Sequence, residues 1–254
     1  MQRYDQLFDV RGTAYDRAMR MFPAARAKEF GQVIERAGLL SGMKVADVPA
    51  GGGYLAAYLP AGCEWLGHEP CGSFYAHVGQ SVDRGADPVS VPLLPLPWTD
   101  NSIDVAMSVA GIHHLEDKRP LFAELLRVVK PGGRLVVSDV AVNSAPAKFL
   151  DGFVGDHNST GHEGVFLSAI TLDELRDTGW TVISNEAISF CWEFDKEQDM
   201  ARFCHDLFDL RTASIAETAI AIHQELGVET LPDGGIGMQW ELTTVVAEKV
   251  VVEK

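Results

Sequence analysis

The chain has 254 residues, 46% of them hydrophobic and 22% charged, the proportions of a globular protein able to bury a substantial core. Its formal net charge of −15 excludes unaided binding to DNA, RNA or an anionic membrane, because those contacts need neutralising lysines and arginines. The four cysteines (Cys63, Cys71, Cys191 and Cys204) form no CxxC pair, and no apolar run reaches the roughly 18 residues of a membrane span, so the composition predicts a cytoplasmic protein with free thiols.

The N-terminal stretch "MQRYDQLFDVRG" carries charges where a signal peptide is apolar. Phe30, Val33, Ile34 and Ala37 then recur at helical spacing, with Gly38 as a stop. "MKVADV" reads as a buried strand, followed by the glycine run 51–53 and a helix through Tyr54, Leu55 and Tyr58 that Pro60 closes. "CEWLGHEP" is a second strand ending at Glu69, "DPVSV" (87–91) a weak third and "SIDVAMSVA" a clear fourth. Pro120 opens a helix that buries Leu121, Leu125, Leu126 and Val129 and stops at "KPGG", after which "RLVVSDV" is a strand. Such alternation predicts a parallel sheet with helices on both faces.

In the last third, Thr171 and Glu174 suggest a capping box for "LDELRDTG", and "WTVISNEAISF" reads as a strand. Two helical stripes follow, one through Met200, Phe203, Cys204, Leu207 and Phe208, the other through Ile215, Ala219, Ile222 and Leu226. "LPDGGIGM" is turn-rich, and "QWELTTVVAEKVVV" is a final strand. The aromatic residues Phe190, Trp192, Phe194, Phe203, Phe208 and Trp240 are expected to pack mostly as the core of this helical cap.

The glycine run lies where a helix N-terminus offers unpaired N–H groups to a ligand. Gly51, Gly53 and Ala56 fit the dinucleotide pattern G-x-G-x-x-A, with Glu69 about 20 residues on as a ribose acid, so an NAD-dependent oxidoreductase is one reading. A second reading rests on three blocks. "VADVPAGGGYLAAYL" resembles the Asp-x-Gly-x-Gly-x-Gly first motif of the class I S-adenosylmethionine-dependent methyltransferases, small-molecule type. "LPWTDNSIDVAMSVAGIHHLED" and "LFAELLRVVKPGGRLVVSDV" are similar to two later segments of that family, in family order and spacing across residues 44–140.

The resemblance implies S-adenosylmethionine as cofactor and a Rossmann-like, doubly wound fold of seven mostly parallel strands with an α-helical cap inserted before the last. It implies a cofactor site built from Asp47, Ala50, Gly51, Gly53, Glu69, Pro70, Leu93, Ser108 and Val109. Asp47 would orient the loop, Gly51 and Gly53 would admit the methionine half, and Glu69 would accept from both ribose hydroxyls. Ser108 and Val109 would face the reacting methyl. Pro49 stands at the family's first glycine, and Pro92 stands where an Asp usually meets the adenine amino group, so adenine is expected against Leu93 and Leu94. Tyr15 is expected to face solvent, with the cofactor pocket as its other place.

The catalytic candidates are His113, from the His113–His114 pair, and His157 and His162 in "GDHNSTGHEGVF". Asp156, His157, His162 and Glu163 match no standard metal spacing, so no metal is assigned. The organisation expected is one methyltransferase domain: a helical arm (1–40), core (41–190), cap (191–236) and final strand (238–252). The activity expected is methyl transfer to an O or N atom of a small organic acceptor, with no nucleic-acid or membrane partner. A non-catalytic S-adenosylmethionine-binding module is the remaining alternative.

Overall fold

The computed structural model describes residues 4–72, 74, 92–162 and 164–251; the strand expected at 87–91, and Glu163, lie outside them. The sheet's order is β2-β1-β3-β4-β7-β5, with β6 paired to β7. The strands are β1 (Lys44–Asp47), β2 (Glu64–Gly67), β3 (Ile103–Val109), β4 (Val129–Asp139), β5 (Trp180–Phe194), β6 (Val228–Thr230) and β7 (Ile236–Lys249). Strands β2, β1, β3 and β4 are parallel, and β7 runs antiparallel to both β4 and β5. The fold is therefore the mostly parallel α/β sheet expected. Its seventh described strand is the short β6, paired to β7, which the sequence did not mark.

The central strands read as unbroken apolar runs because both of their faces are buried. In β4, Val136 joins one core while Leu135 and Val137 join the other; in β3, Val105 and Met107 oppose Ala106 in the same way. The first core is covered by α1 (Tyr4–Met21) and α2 (Ala27–Ala37), through Ala18, Met19, Phe30 and Val33. The second is covered by α3 (Arg119–Val128) and α5 (Ala169–Asp177), through Leu121, Phe122, Leu125 and Leu175. Between them the chain runs through α4 (Ala145–Phe149), a π turn (Leu150–Val154) and a last α turn (Gly155–His157).

Several boundaries differ from those expected. Tyr54–Tyr58 is a 3₁₀ helix rather than an α-helix. Lys130 to Gly133 lie inside β4 as an irregularity, since Ile103 pairs with Val129 and Val105 with Arg134. Helix α5 starts before Thr171: Ser168 is its N-cap, its N–H donating to Thr171 Oγ1 at 3.3 Å, while Glu174 accepts from the Lys118 N–H at 3.2 Å. Strand β5 continues past Phe190 to Phe194 and pairs with β7 as far as Ile236. Sheet residues thus supply four of the six aromatic residues expected in the cap: Phe190, Trp192, Phe194 and Trp240. Trp192 and Trp240 stack with ring centroids 4.5 Å apart beneath α6 (Glu197–Leu207), while α7 (Ile215–Glu225) packs on α6.

Candidate active site

From β1 the chain crosses to β2 on one side, while β3 lies on the other, so a crevice opens at the carboxyl ends of β1 and β3. Pro49, Ala50 and Gly51 form one lip; Val109, Ala110 and Gly111 form the other. Gly51 (φ 53°) and Gly53 (φ 77°) adopt left-handed backbone, so the tight turn itself accounts for two of the three glycines. Gly111 is a matter of space: a Cβ there would lie 2.7 Å from Pro49 Cγ.

Helix α1 lies over this crevice. Phe8, Arg11 and Tyr15 share one of its faces and divide the space beneath into two cavities. Tyr15 lines both, contrary to the expected solvent-facing position, and its hydroxyl accepts a hydrogen bond from Arg26 Nη1. The arm is also tied down by Tyr54, whose hydroxyl donates to Asp16 Oδ1 at 2.8 Å, and by Arg17, paired with Asp206 of α6 at 2.9 Å.

The first cavity, about 50 Å³, has room for a few water molecules. Of the expected cofactor residues, Asp47, Ala50, Gly51 and Val109 line it, whereas Gly53, Glu69, Pro70, Leu93 and Ser108 stand outside its lining. Ser108 lies within β3, paired with Val137, not beyond the strand; its buried hydroxyl has no partner among the described residues. Leu93 packs at the edge of the second core, and His68 Nε2 donates to the carbonyls of Pro92 (3.2 Å) and Leu93 (3.0 Å). Glu69 is buried two residues past β2, with Oε2 accepting the Gly51 N–H (2.7 Å) and Oε1 the Cys71 N–H (2.8 Å).

Asp47 ends β1 with Trp65 Nε1 donating to its Oδ2 at 3.2 Å. Burial pushes its carboxyl up to about 7, against the opposing effect of that hydrogen bond. Below pH 4 the group is protonated whether folded or unfolded. As pH rises toward 7 only the unfolded chain releases the proton, so folding stability falls across that window and levels off above it. The gain in unfolding free energy from Asp47→Asn is therefore expected to be about 2–3 kcal/mol larger at pH 8 than at pH 5. Urea unfolding of both proteins at the two pH values measures this. An equal gain at both would show that Asp47 is already ionised.

The second cavity, about 60 Å³, joins the first across Phe8, Tyr15, Arg26 and Ala110. His113, His114 and His162 line it opposite the apolar Leu207, Phe208 and Trp240. The loop bearing His162 reaches His113 because the Val165 N–H donates to the His113 carbonyl at 2.8 Å. His113 Nδ1 donates to Asp139 Oδ1 at 2.7 Å, and His162 Nδ1 donates to Asp151 Oδ1 at 2.9 Å. A carboxylate at Nδ1 thereby orients both rings. Burial opposes the charge on Asp139, yet His113 and the N–H groups of Val140 and His113 hold it below the usual range. Burial and the neighbouring His113 push His114 and His162 down, so these imidazoles are neutral at neutral pH.

His157 is not brought to this cluster. Its Nδ1 meets Thr212 Oγ1 at 2.8 Å and its carbonyl accepts the Arg211 N–H, tying the loop to the cap, while Asp156 is exposed. A ligand atom from each of His113, His114 and His162 lies within 4.8 Å of the others, a grouping that could hold a metal ion by residue type. The sequence reading missed this trio, as well as Arg11 and Arg26; Phe8, Arg11 and Tyr15, at helical spacing, were the readable signal for the arm. A larger groove of about 370 Å³ lies elsewhere, between β5, β7 and the start of α4, away from the crevice.

Comparison with known proteins accords with this geometry. The profile of the methyltransferase domain family matches residues 46–137, from β1 through β4. Residues 46–137 thus match a methyltransferase domain. An uncharacterized methyltransferase of Mycobacterium sp. (strain KMS) is 37% identical over 98 residues, covering 38% of this chain and 38% of that protein. The demethylmenaquinone methyltransferase of Renibacterium salmoninarum is 32% identical over 108 residues, 42% of this chain and 45% of that one. The chain thus spans less than half the length of these curated relatives. Among solved structures, the Haemonchus contortus phosphoethanolamine N-methyltransferase 2 in complex with S-adenosyl-L-methionine shares the fold, with TM-score 0.60 at 16% identity over 99% of this chain and 61% of that one. Arm and cap lie outside the matched residues 46–137.

Proposed function

We propose that this methyltransferase moves the methyl group of S-adenosylmethionine to an O or N atom of a small organic acceptor. The observation that carries the reading is the pair of adjoining cavities. One lies at the glycine loop, the other against His113 and His162, and they share the wall Phe8, Tyr15, Arg26 and Ala110. Methyl transfer is an in-line displacement that needs donor and acceptor in neighbouring compartments with water excluded.

Asp47 suits the donor. A buried carboxyl held near neutrality takes its charge readily beside a cation, and S-adenosylmethionine carries a sulfonium. Glu69 accepts the backbone N–H groups of Gly51 and Cys71, and as an acceptor-only carboxylate at the glycine loop it is chemically suited to ribose hydroxyls. A nucleoside-sized ligand exceeds the first cavity as it stands, so entry requires α1 to lift, releasing the Tyr54–Asp16 and Arg17–Asp206 contacts.

S-adenosylmethionine, held at the glycine loop beside Asp47, would supply the methyl group, its sulfonium becoming a neutral thioether as the methyl passes to a nucleophile in the acceptor cavity. The acceptor's proton passes to Nε2 of His113, whose imidazolium Asp139 then stabilises, with His162 as the neighbouring acceptor. His113→Gln is expected to keep S-adenosylmethionine affinity within about twofold while lowering methyl transfer by about 10²–10⁴-fold. Titration calorimetry and transfer of labelled methyl into a pool of small organic acceptors read the two effects. Binding without transfer by the wild-type chain, whatever the acceptor, would favour the non-catalytic module.

A further inference from the structure

A buried charge in the wall of the acceptor cavity takes no part in this transfer. Arg11, on α1, is only 4% exposed and lines the acceptor cavity, and among the described residues neither its Nε nor its Nη1 has a hydrogen-bond partner. Its guanidinium sits 5.9 Å from the Phe8 ring centroid. Asp209 is the acidic group that acts on it most, but that carboxylate already accepts from Ser159 at 2.6 Å and pairs with Arg211 at 2.8 Å. Buried guanidinium groups are ordinarily paired, because an unmet charge at depth destabilises the fold. An arginine kept unpaired in the wall of a ligand cavity calls for an anion from outside.

We infer that the acceptor of this methyltransferase is a small organic acid whose carboxylate is held by Arg11. The planar guanidinium matches a carboxylate in shape and supplies charge-assisted hydrogen bonds, which are stronger than neutral ones. The remaining walls, Val140, Leu150, Leu207 and Phe208, suit a short apolar body. The acid's nucleophilic group would then lie toward His113 and His162 on the same cavity. The three clustered imidazoles invite a metal reading instead, but Arg11 in the same wall repels a divalent cation and attracts an anion. The sign of the nearest unpaired charge favours the acid.

The inference rests on the methyl-transfer reading for the word acceptor, and its test is independent of turnover. Thermal unfolding of the whole chain is followed in sodium propionate, in neutral propionamide and in sodium chloride at matched ionic strength. Propionate is expected to raise the wild-type Tm saturably, by about 2–4 °C above chloride, and propionamide is expected not to. Arg11→Met, which removes the buried charge and keeps apolar volume, should melt about 2–4 °C above wild type without propionate and should not respond to it. Equal wild-type Tm in propionate and chloride overturns the inference, as does a response retained by Arg11→Met. So does an Arg11→Met variant less stable than wild type, which would make Arg11 structural, or saturable stabilisation by Zn²⁺ in place of propionate. S-adenosylmethionine titration of the same samples separates the two readings: a propionate response without cofactor binding leaves the anion site standing and removes the methyl-transfer reading.

Discussion

Glu69→Ala is expected to lower the unfolding free energy by roughly 3–5 kcal/mol, besides weakening S-adenosylmethionine by roughly 2–4 kcal/mol. From sequence, a carboxylate just past a strand looks removable without harm to the fold. The structure changes that expectation. Glu69 is 1% exposed, and its two oxygens hold the N–H groups of Gly51 and Cys71 at 2.7 and 2.8 Å. Removing the side chain strands two backbone donors, one of them in the glycine loop, and hydrogen bonds to a charged group are worth about 1.5–3 kcal/mol each. Glu69→Gln separates the two losses. Its amide keeps the volume and one acceptor, but presents a donor to one of the two N–H groups, so stability should fall by less than in Glu69→Ala. Urea unfolding and titration calorimetry on both variants measure this. An Ala variant as stable as wild type would mean that the Gly51 and Cys71 contacts carry no weight.

The case of Glu69 shows what a sequence can convey here. Strands β1, β3 and β4 were legible because burial on both faces leaves a run of apolar residues that little else in a chain of this composition explains. The glycine loop was legible because left-handed backbone at Gly51 and Gly53 restricts the residue type. Asp47, Ala50, Gly51 and Val109 followed, since each lies within a few residues of a strand end. Arg11, Tyr15 and Arg26 did not, because their roles depend on how α1 crosses the strands, a matter of tertiary packing. The two loop histidines were chemically equivalent as text. Only the partners separate them, Asp151 turning His162 toward His113 while Thr212 and the Arg211 N–H fix His157 to the cap. The capping box was misplaced for a related reason: Thr171 belongs to a box, but as the third helical residue behind the N-cap Ser168, not as the N-cap itself.

Arg26→Ala is expected to cost about 3–5 kcal/mol of stability, the range for breaking a buried ion pair from one side. Arg26 and Glu29 are 3% and 0% exposed, and Arg26 Nε donates to Glu29 Oε2 at 2.9 Å while Nη2 binds the other carboxylate oxygen. Burial works against the guanidinium charge, but Glu29 and Tyr15 outweigh it and hold the group firmly protonated. Without Arg26, the Glu29 carboxylate keeps Trp192 as its side-chain donor among the described residues, through Nε1 at 2.7 Å. The damage then comes from the abandoned charge more than from the lost bonds, and this makes a specific demand on the double variant. Arg26→Met with Glu29→Gln removes both charges, keeps apolar volume over Trp192, and leaves an amide oxygen to accept from the indole. It should recover most of the stability lost in Arg26→Ala. Tyr15 would still lose its anchor, so α1 should open more readily over both cavities, and hydrogen exchange in residues 8–18 should rise in the double variant even as global stability returns. A single variant within 1 kcal/mol of wild type (about fivefold in the folding equilibrium), or a double variant no better than the single, would place the stability of this junction in the aromatic packing around Trp192 and not in the ion pair.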